Sequence, residues 1–157
     1  MEIKYLDERL KDFKFAPSTD LSAGYDLRAC IPDILHIYPN ETKKIKTGIS
    51  LHMADLLNET KDNDYNVLPC AIIMPRSSLG CKGLKPRNSP GLIDADYQGE
   101  IVICMHNYSD DRLEIKPMER IAQLVFMVAI HPVIKEVSEF STETERGDSG
   151  FGSTGTH

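Results

Sequence analysis

The sequence lacks any apolar stretch long enough to cross a membrane, and its first ten residues are too charged for a secretion signal. It has no internal repeat and no coiled-coil heptad, so neither a solenoid nor a long helical assembly is expected. Its four cysteines, Cys30, Cys70, Cys81 and Cys104, form no C-x-x-C pair, and no Cys/His cluster has zinc spacing. Cys70 and Cys104 lie inside apolar runs, which predicts buried, reduced thiols and a reducing compartment. Net positive charge is lacking too: 24 acidic against 18 basic residues give −6 at pH 7. Such a chain is ill suited to nonspecific nucleic-acid binding, although a local arginine cluster can still hold a small anion. The expectation is a cytoplasmic protein (or a nuclear one in a eukaryotic or viral setting) that engages neither nucleic acid nor membrane.

What is present is a chain of 157 residues, one domain in length and large enough to bury a core without staples. Short apolar runs alternate with turn signals. Strands are expected at 3–6, 25–29, 34–38, 43–51, 68–74, 100–106, 113–115 and 121–130. That spacing predicts an all-β sandwich or barrel. The consecutive apolar residues 101–105 predict a strand buried on both faces, or one packed by a face on another subunit. One helical turn is expected at 52–57, followed by a polar surface insertion at 58–64. The chain thus divides into a β domain over 1–140 and a tail over 141–157.

Chemistry concentrates in a few places. The stretch from Arg146 to Gly155 holds four glycines, an arginine, Phe151 and several hydroxyls. No apolar periodicity docks it, so it is expected to be mobile on its own. Its residue types nevertheless fit a triphosphate nucleotide. Glycines let backbone N–H groups crowd phosphate oxygens, arginine is a forked cation, and phenylalanine offers a face to a base. It has no P-loop lysine, and a flexible solubilising terminus is the alternative. Upstream, Arg76, Ser77 and Ser78 follow a strand-ending proline and open a short helix expected from Ser78. They form an anion site, or a serine cap beside a surface arginine. Leu92 and Ile93 are expected to be buried, which sets Asp94 at the edge of a buried element. A carboxylate there can act as general base toward water, and the Asn88 amide can pair with a pyrimidine edge. Otherwise Asn88, Asp94 and Asp96 are loop and turn residues. Gln123, opening an apolar strand, donates to a ligand or satisfies backbone groups. Asp26 lies within an apolar strand and needs a partner: Arg28, Arg120, a metal-bound water or a backbone amide.

Taken in order, Ala23 to Ala29, Pro75 to Ser78, Gly91 to Tyr97, Arg120 to Leu124 and Arg146 to Gly155 resemble the five motifs of the trimeric dUTP pyrophosphatases (dUTPases). The resemblance spans nearly the whole chain with family-like spacing. It implies a homotrimer of jelly-roll-like β subunits with active sites at subunit interfaces. The implied reaction cleaves dUTP between the α- and β-phosphates to dUMP and pyrophosphate, with Mg²⁺ on the triphosphate. That reaction supplies dUMP and limits uracil incorporation into DNA. Carried over by motif, Asp94 would orient and deprotonate the attacking water. Asn88 would read the uracil edge with backbone groups of Gly91, Leu92 and Ile93, and Tyr97 would lie under the deoxyribose. Arg76, Ser77 and Ser78 would bind phosphates, Gln123 would sit near the α-phosphate, and Asp26 would hold a magnesium-bound water. In the tail, Phe151 would stack on uracil beside Gly152, while Arg146, Ser153 and Thr154 would clamp the outer phosphates.

The chain departs from the family pattern in places. Ser149 stands where glycine is usual, which costs stability in a closed lid if that position needs a positive φ. Met74 stands where a smaller residue is common, and the polar stretch at 58–64 is longer than the family minimum. Two other functions compete. A dCTP deaminase of the same fold would need a glutamate where this chain has Gln98, and lacks the lid. A non-catalytic, nucleotide-responsive regulatory protein would be expected to have lost the base or the lid.

Overall fold

The computed structural model describes residues 1–54 and 65–148. Within them run ten strands: β1 (Glu2–Tyr5), β2 (Gly24–Arg28), β3 (Leu35–Ile37), β4 (Thr42–His52), β5 (Tyr65–Pro75), β6 (Leu84–Pro86), β7 (Gly91–Ile93), β8 (Glu100–Asn107), β9 (Leu113–Ile115) and β10 (Arg120–Pro132). A one-turn helix, α1 (Ser77–Gly80), follows β5, and a 3-10 turn (Glu8–Asp12) follows β1. The all-β class expected from the turn spacing is what the chain adopts. One antiparallel sheet has the order β1-β4-β8-β6, a second β2-β10-β5-β7, and β3 pairs with β9. Both four-stranded sheets face a single core, built from Ile45, Ile49 and Leu51 of β4, Ile101, Ile103 and Met105 of β8, Leu27 of β2, Ile73 of β5 and Leu124 of β10. Burying such side chains is the main favourable term in folding.

The eight expected strands are all present: β4, β5, β8 and β10 run longer than expected, β1 and β2 start one residue earlier, β3 is shorter and β9 is as expected. Two short ones, β6 and β7, were not expected. Both are edge strands of three residues. Pro86 is tolerated in β6 because an edge strand can dispense with one ladder N–H. His52 belongs to β4, and the remainder of the expected helical turn and the 58–64 insertion fall almost entirely outside the described residues. In β8 the apolar run resolves into alternation. Ile101, Ile103 and Met105 point into the core, while Val102 is 37% exposed. Cys104 shares the outward face and is only half-buried, not buried as expected, because it falls at the wrong parity of the strand. Cys70 is buried, and all four cysteines are free thiols.

β4 is bent by a bulge. Lys46 pairs with Val102 but Ser50 with Glu100, so β4 runs through extra residues there. Gly48 at the bulge has φ +65, and a Cβ on it would lie 2.7 Å from Leu10 and 2.8 Å from the Cys30 sulfur. Glycine is therefore needed twice over.

Asn107, at the end of β8, is fully buried. Its Nδ2 donates to the carbonyls of Ile37 (2.9 Å) and Asp111 (2.7 Å). Its Oδ1 accepts from the Ser109 N–H (2.9 Å) and hydroxyl (2.7 Å). One amide thus ties β8, β3 and the loop into β9 together. Asn107→Ala should lower the unfolding free energy by about 2–3 kcal/mol, since it strands buried partners. Urea unfolding monitored by circular dichroism checks this, and an unchanged midpoint contradicts it.

Candidate active site

The second sheet gathers residues from three distant stretches at one end. β10 lies between β2 and β5, and the register sets Gln123 opposite Asp26 on one side and Met74 on the other. Arg76 follows β5 directly. Its Nε lies 3.3 Å from Asp26 Oδ1, and Arg120 Nη1 lies 3.1 Å from Asp26 Oδ2. Arg76 Nη1 also donates to the Arg120 carbonyl at 3.1 Å. Of the partners considered for Asp26, Arg120 is present. Arg76, which sequence reasoning treated as an anion ligand or a surface arginine, is the second. Arg28 instead donates to the Met118 carbonyl (2.8 Å) and stacks on Phe13.

Gln123 Nε2 donates to the Pro75 carbonyl at 3.1 Å. Its side chain lies across Gly24, where a Cβ would stand 2.4 Å from Gln123 Oε1. The glycine before Tyr25 thus lets the amide lie flat beside Asp26. Ser77 and Ser78 are exposed on α1, which starts at Ser77, one residue earlier than expected. The first amides of that turn have no intrahelical acceptor.

A second group forms around β7. Asn88, Gly91, Leu92, Ile93, Asp94 and Tyr97 line a cavity of about 210 Å³ whose floor is Ile73, Ile101 and Val102. The Tyr97 hydroxyl donates to the Glu100 carbonyl at 3.1 Å, which fixes the ring, and the residue remains 44% exposed. The expectation that Leu92 is buried fails: it is 62% exposed. β7 is an edge strand that alternates, so Gly91 and Ile93 face inward and Leu92 outward. Asp94, just past β7, is exposed as well.

These two groups do not meet within one chain. Ile93 pairs with Ala71, five residues before Arg76 on β5, which separates the Asp94 end from the Arg76 end by about 17 Å. The cavity around Asn88 and Asp94 contains none of Arg76, Ser77, Ser78 or Gln123. The first group is cationic, and the second is a cleft lined by an amide, a carboxylate and a tyrosine.

Beyond β10, the described residues form no further strand and are exposed, Arg146 among them. Ser149 and the tail residues Phe151, Gly152, Ser153 and Thr154 lie outside the described residues. Among the described residues no group of three or more His, Cys, Asp or Glu side chains could hold a metal ion, and no helix is long and apolar enough to cross a membrane.

Comparison with known proteins agrees with this geometry. The dUTPase family profile matches residues 13–155. A deoxyuridine 5'-triphosphate nucleotidohydrolase of Neisseria meningitidis serogroup C is 41% identical over all of this chain and 97% of its own length. One from Burkholderia cenocepacia is 40% identical, over all of this chain and 99% of its own. Among solved structures, a mutant Staphylococcus bacteriophage 80alpha dUTPase with dUpNHpp superposes with a TM-score of 0.74 at 25% identity, covering 98% of this chain and 97% of that one. A phage phi11 dUTPase mutant, described with a structural Mg(II) ion, shares the fold at a TM-score of 0.70 and 21% identity, covering 90% of this chain and 98% of that one. With the profile spanning nearly the whole sequence and relatives 40–41% identical along all of it, the chain belongs to the dUTPase family.

Proposed function

We infer that this chain hydrolyses dUTP to dUMP and pyrophosphate, and that it does so at sites completed by a second and a third copy of itself. The observation that carries the site reading is the split: a cationic cluster around Asp26, Arg76 and Gln123, and a ring-sized cavity around Asn88, Asp94 and Tyr97 whose Asp94 end lies about 17 Å from Arg76 along β5. A homotrimer that sets one copy's cavity against its neighbour's cluster supplies both to one nucleotide. The exposed apolar residues bordering the cavity, Leu92, Tyr97 and Val102, support a partner surface there. So does the far half of β10, where Met127, Val128 and Ile130 are exposed.

In this reading Asn88 and the backbone of Gly91, Leu92 and Ile93 pair with uracil. Cytosine, with hydrogen-bond polarity reversed at the same edge, would leave groups unpaired. Tyr97 lies under the sugar and leaves no room for a 2′-hydroxyl. Asp94 orients a water and takes its proton as the water oxygen attacks the α-phosphorus. The bond from that phosphorus to the bridging oxygen breaks, and pyrophosphate leaves with the electron pair. Arg76, Ser77, Ser78 and Gln123 hold the phosphates in line. Residues 141–157, with Arg146, Phe151, Gly152, Ser153 and Thr154, form the lid over the β domain of 1–140.

The donor set suits magnesium in one way only. Asp26 is a single hard carboxylate, which fits an ion that keeps its waters and draws other ligands from phosphate oxygens. When bound, Mg²⁺ supplies neutralisation of the triphosphate charge. Asp26 would hold that ion through one of its waters. Four free thiols support a cytoplasmic setting. Gln98, directly after Tyr97, cannot do the acid–base work a deaminase needs there, so that alternative gains nothing from the site.

Pyrophosphate release from dUTP, dCTP, dTTP and UTP with Mg²⁺ tests the reading: release from dUTP alone is expected, and equal release from dCTP would sink it. Asp94→Asn should lower kcat by about a thousandfold while dUTP still binds, the size of a lost general base. Near-normal turnover would remove Asp94 from that role. Truncation before Arg146 should leave a folded trimer of severely reduced activity. Loss of folding in that variant would make the tail structural instead.

A further inference from the structure

Arg28 belongs to none of the ligand contacts assigned above, yet it shares a face of the sheet with the cationic cluster. Along β2, Leu27 is buried in the core, and Asp26 and Arg28 project to the other side. There they line, with Arg120, Phe13, Lys14 and Phe15, a cavity of about 400 Å³ between β2 and the segment that precedes it. The Arg28 guanidinium is pinned from two directions. It stacks 4.0 Å from the centroid of the Phe13 ring, and its Nη1 donates to the Met118 carbonyl at 2.8 Å. No described carboxylate lies within ion-pairing distance of it, whereas Arg76 and Arg120 both contact Asp26. Burial lowers its pKa, and the neighbouring charge of Arg120 lowers it further. Three guanidinium groups therefore surround one carboxylate, in a protein whose net charge is −6.

We propose that Arg28 is a positioning residue for the phosphate end of the substrate: pinned by Phe13 and the Met118 carbonyl, it turns Arg120 and Arg76 onto Asp26 by repulsion and leaves the cluster with excess positive charge. A fixed cation held outside ion-pair contact with Asp26 repels the other two, while Asp26 attracts all three. The excess is relieved only when an anion arrives, which favours the pyrophosphate moiety over the nucleoside. Arg28 acts through its neighbours and need not touch the substrate. The proposal rests on reading this cluster as the phosphate end of the site.

Calorimetric binding of inorganic pyrophosphate and of deoxyuridine to full-length Arg28→Gln, Arg28→Lys and Arg76→Ala separates the possibilities. Arg28→Gln should weaken pyrophosphate about tenfold, less so at high salt, and leave deoxyuridine unchanged. The KM for dUTP should rise more than kcat falls, and Arg28→Lys should restore most of the loss. Equal loss of deoxyuridine affinity would make Arg28 merely structural and overturn the proposal. Normal pyrophosphate binding by Arg28→Gln, alongside a loss in Arg76→Ala, would overturn it too while sparing the reading of the cluster. Normal binding by both variants would discard that reading itself. Should Arg28→Gln not fold, Phe13→Leu keeps the charge but frees it. A salt-dependent loss of pyrophosphate affinity there supports the proposal, and its absence refutes it.

Discussion

The placement of β10 between β2 and β5 is the constraint on which the candidate site depends. Strands that are far apart in sequence meet only because β10 pairs along both edges, and its register decides which side chains face each other. With Gln123 opposite both Asp26 and Met74, Arg76 arrives beside Asp26 as a consequence of strand geometry. A slip of one residue would send Gln123 to the core face and Leu124 to the cluster. Buried Leu124 and Ala122, and the close fit of the Gln123 side chain across Gly24, oppose that slip. The hydrophobic pattern that builds the core is thus the same device that aligns the polar residues.

The aligned residues form an electrostatically unfinished group. Asp26 receives two arginines, and a third stands nearby without a carboxylate. In a folded protein at rest such crowding is unfavourable, since like charges brought together in a partly desolvated place destabilise each other. The cost is tolerable because the sheet, rather than the cluster, supplies the stability. A group of this kind gains most from a multiply charged anion, which matches the triphosphate chemistry of the family.

Much of this was legible in the sequence, for reasons that can be named. The turn residues between short apolar runs gave the all-β class and the eight principal strands, because Gly, Pro and Asn-Asp clusters specify local backbone shape directly. The family was legible through motif order, not through local pattern: Arg76-Ser77-Ser78 alone is equally an ordinary helix start. The failures have different causes. Leu92 and Cys104 were read by hydrophobicity, when parity within a strand decides which face each occupies. β6 and β7 were missed because three-residue edge strands containing Pro86 or Gly91 carry almost no β signal. The Asp26–Arg76 pair joins residues fifty positions apart, and only the sheet order reveals it.

Two outward apolar residues argue for assembly. Leu92 and Val102 are apolar, exposed, and beside the cavity that holds Asp94. A lone subunit has no folding reason to place them there, since polar residues would serve a solvent-facing side of a sheet equally well. Their position makes sense if the same surface that completes the nucleotide site also buries them. Assembly and catalysis then become one event. The apolar rim would then supply association free energy, and a neighbouring copy would bring its Asp94 to the phosphate that Arg76 is inferred to hold. On the inferred trimer, catalytic competence is therefore a property of the interface, and the fold of the single chain is built to be incomplete without it.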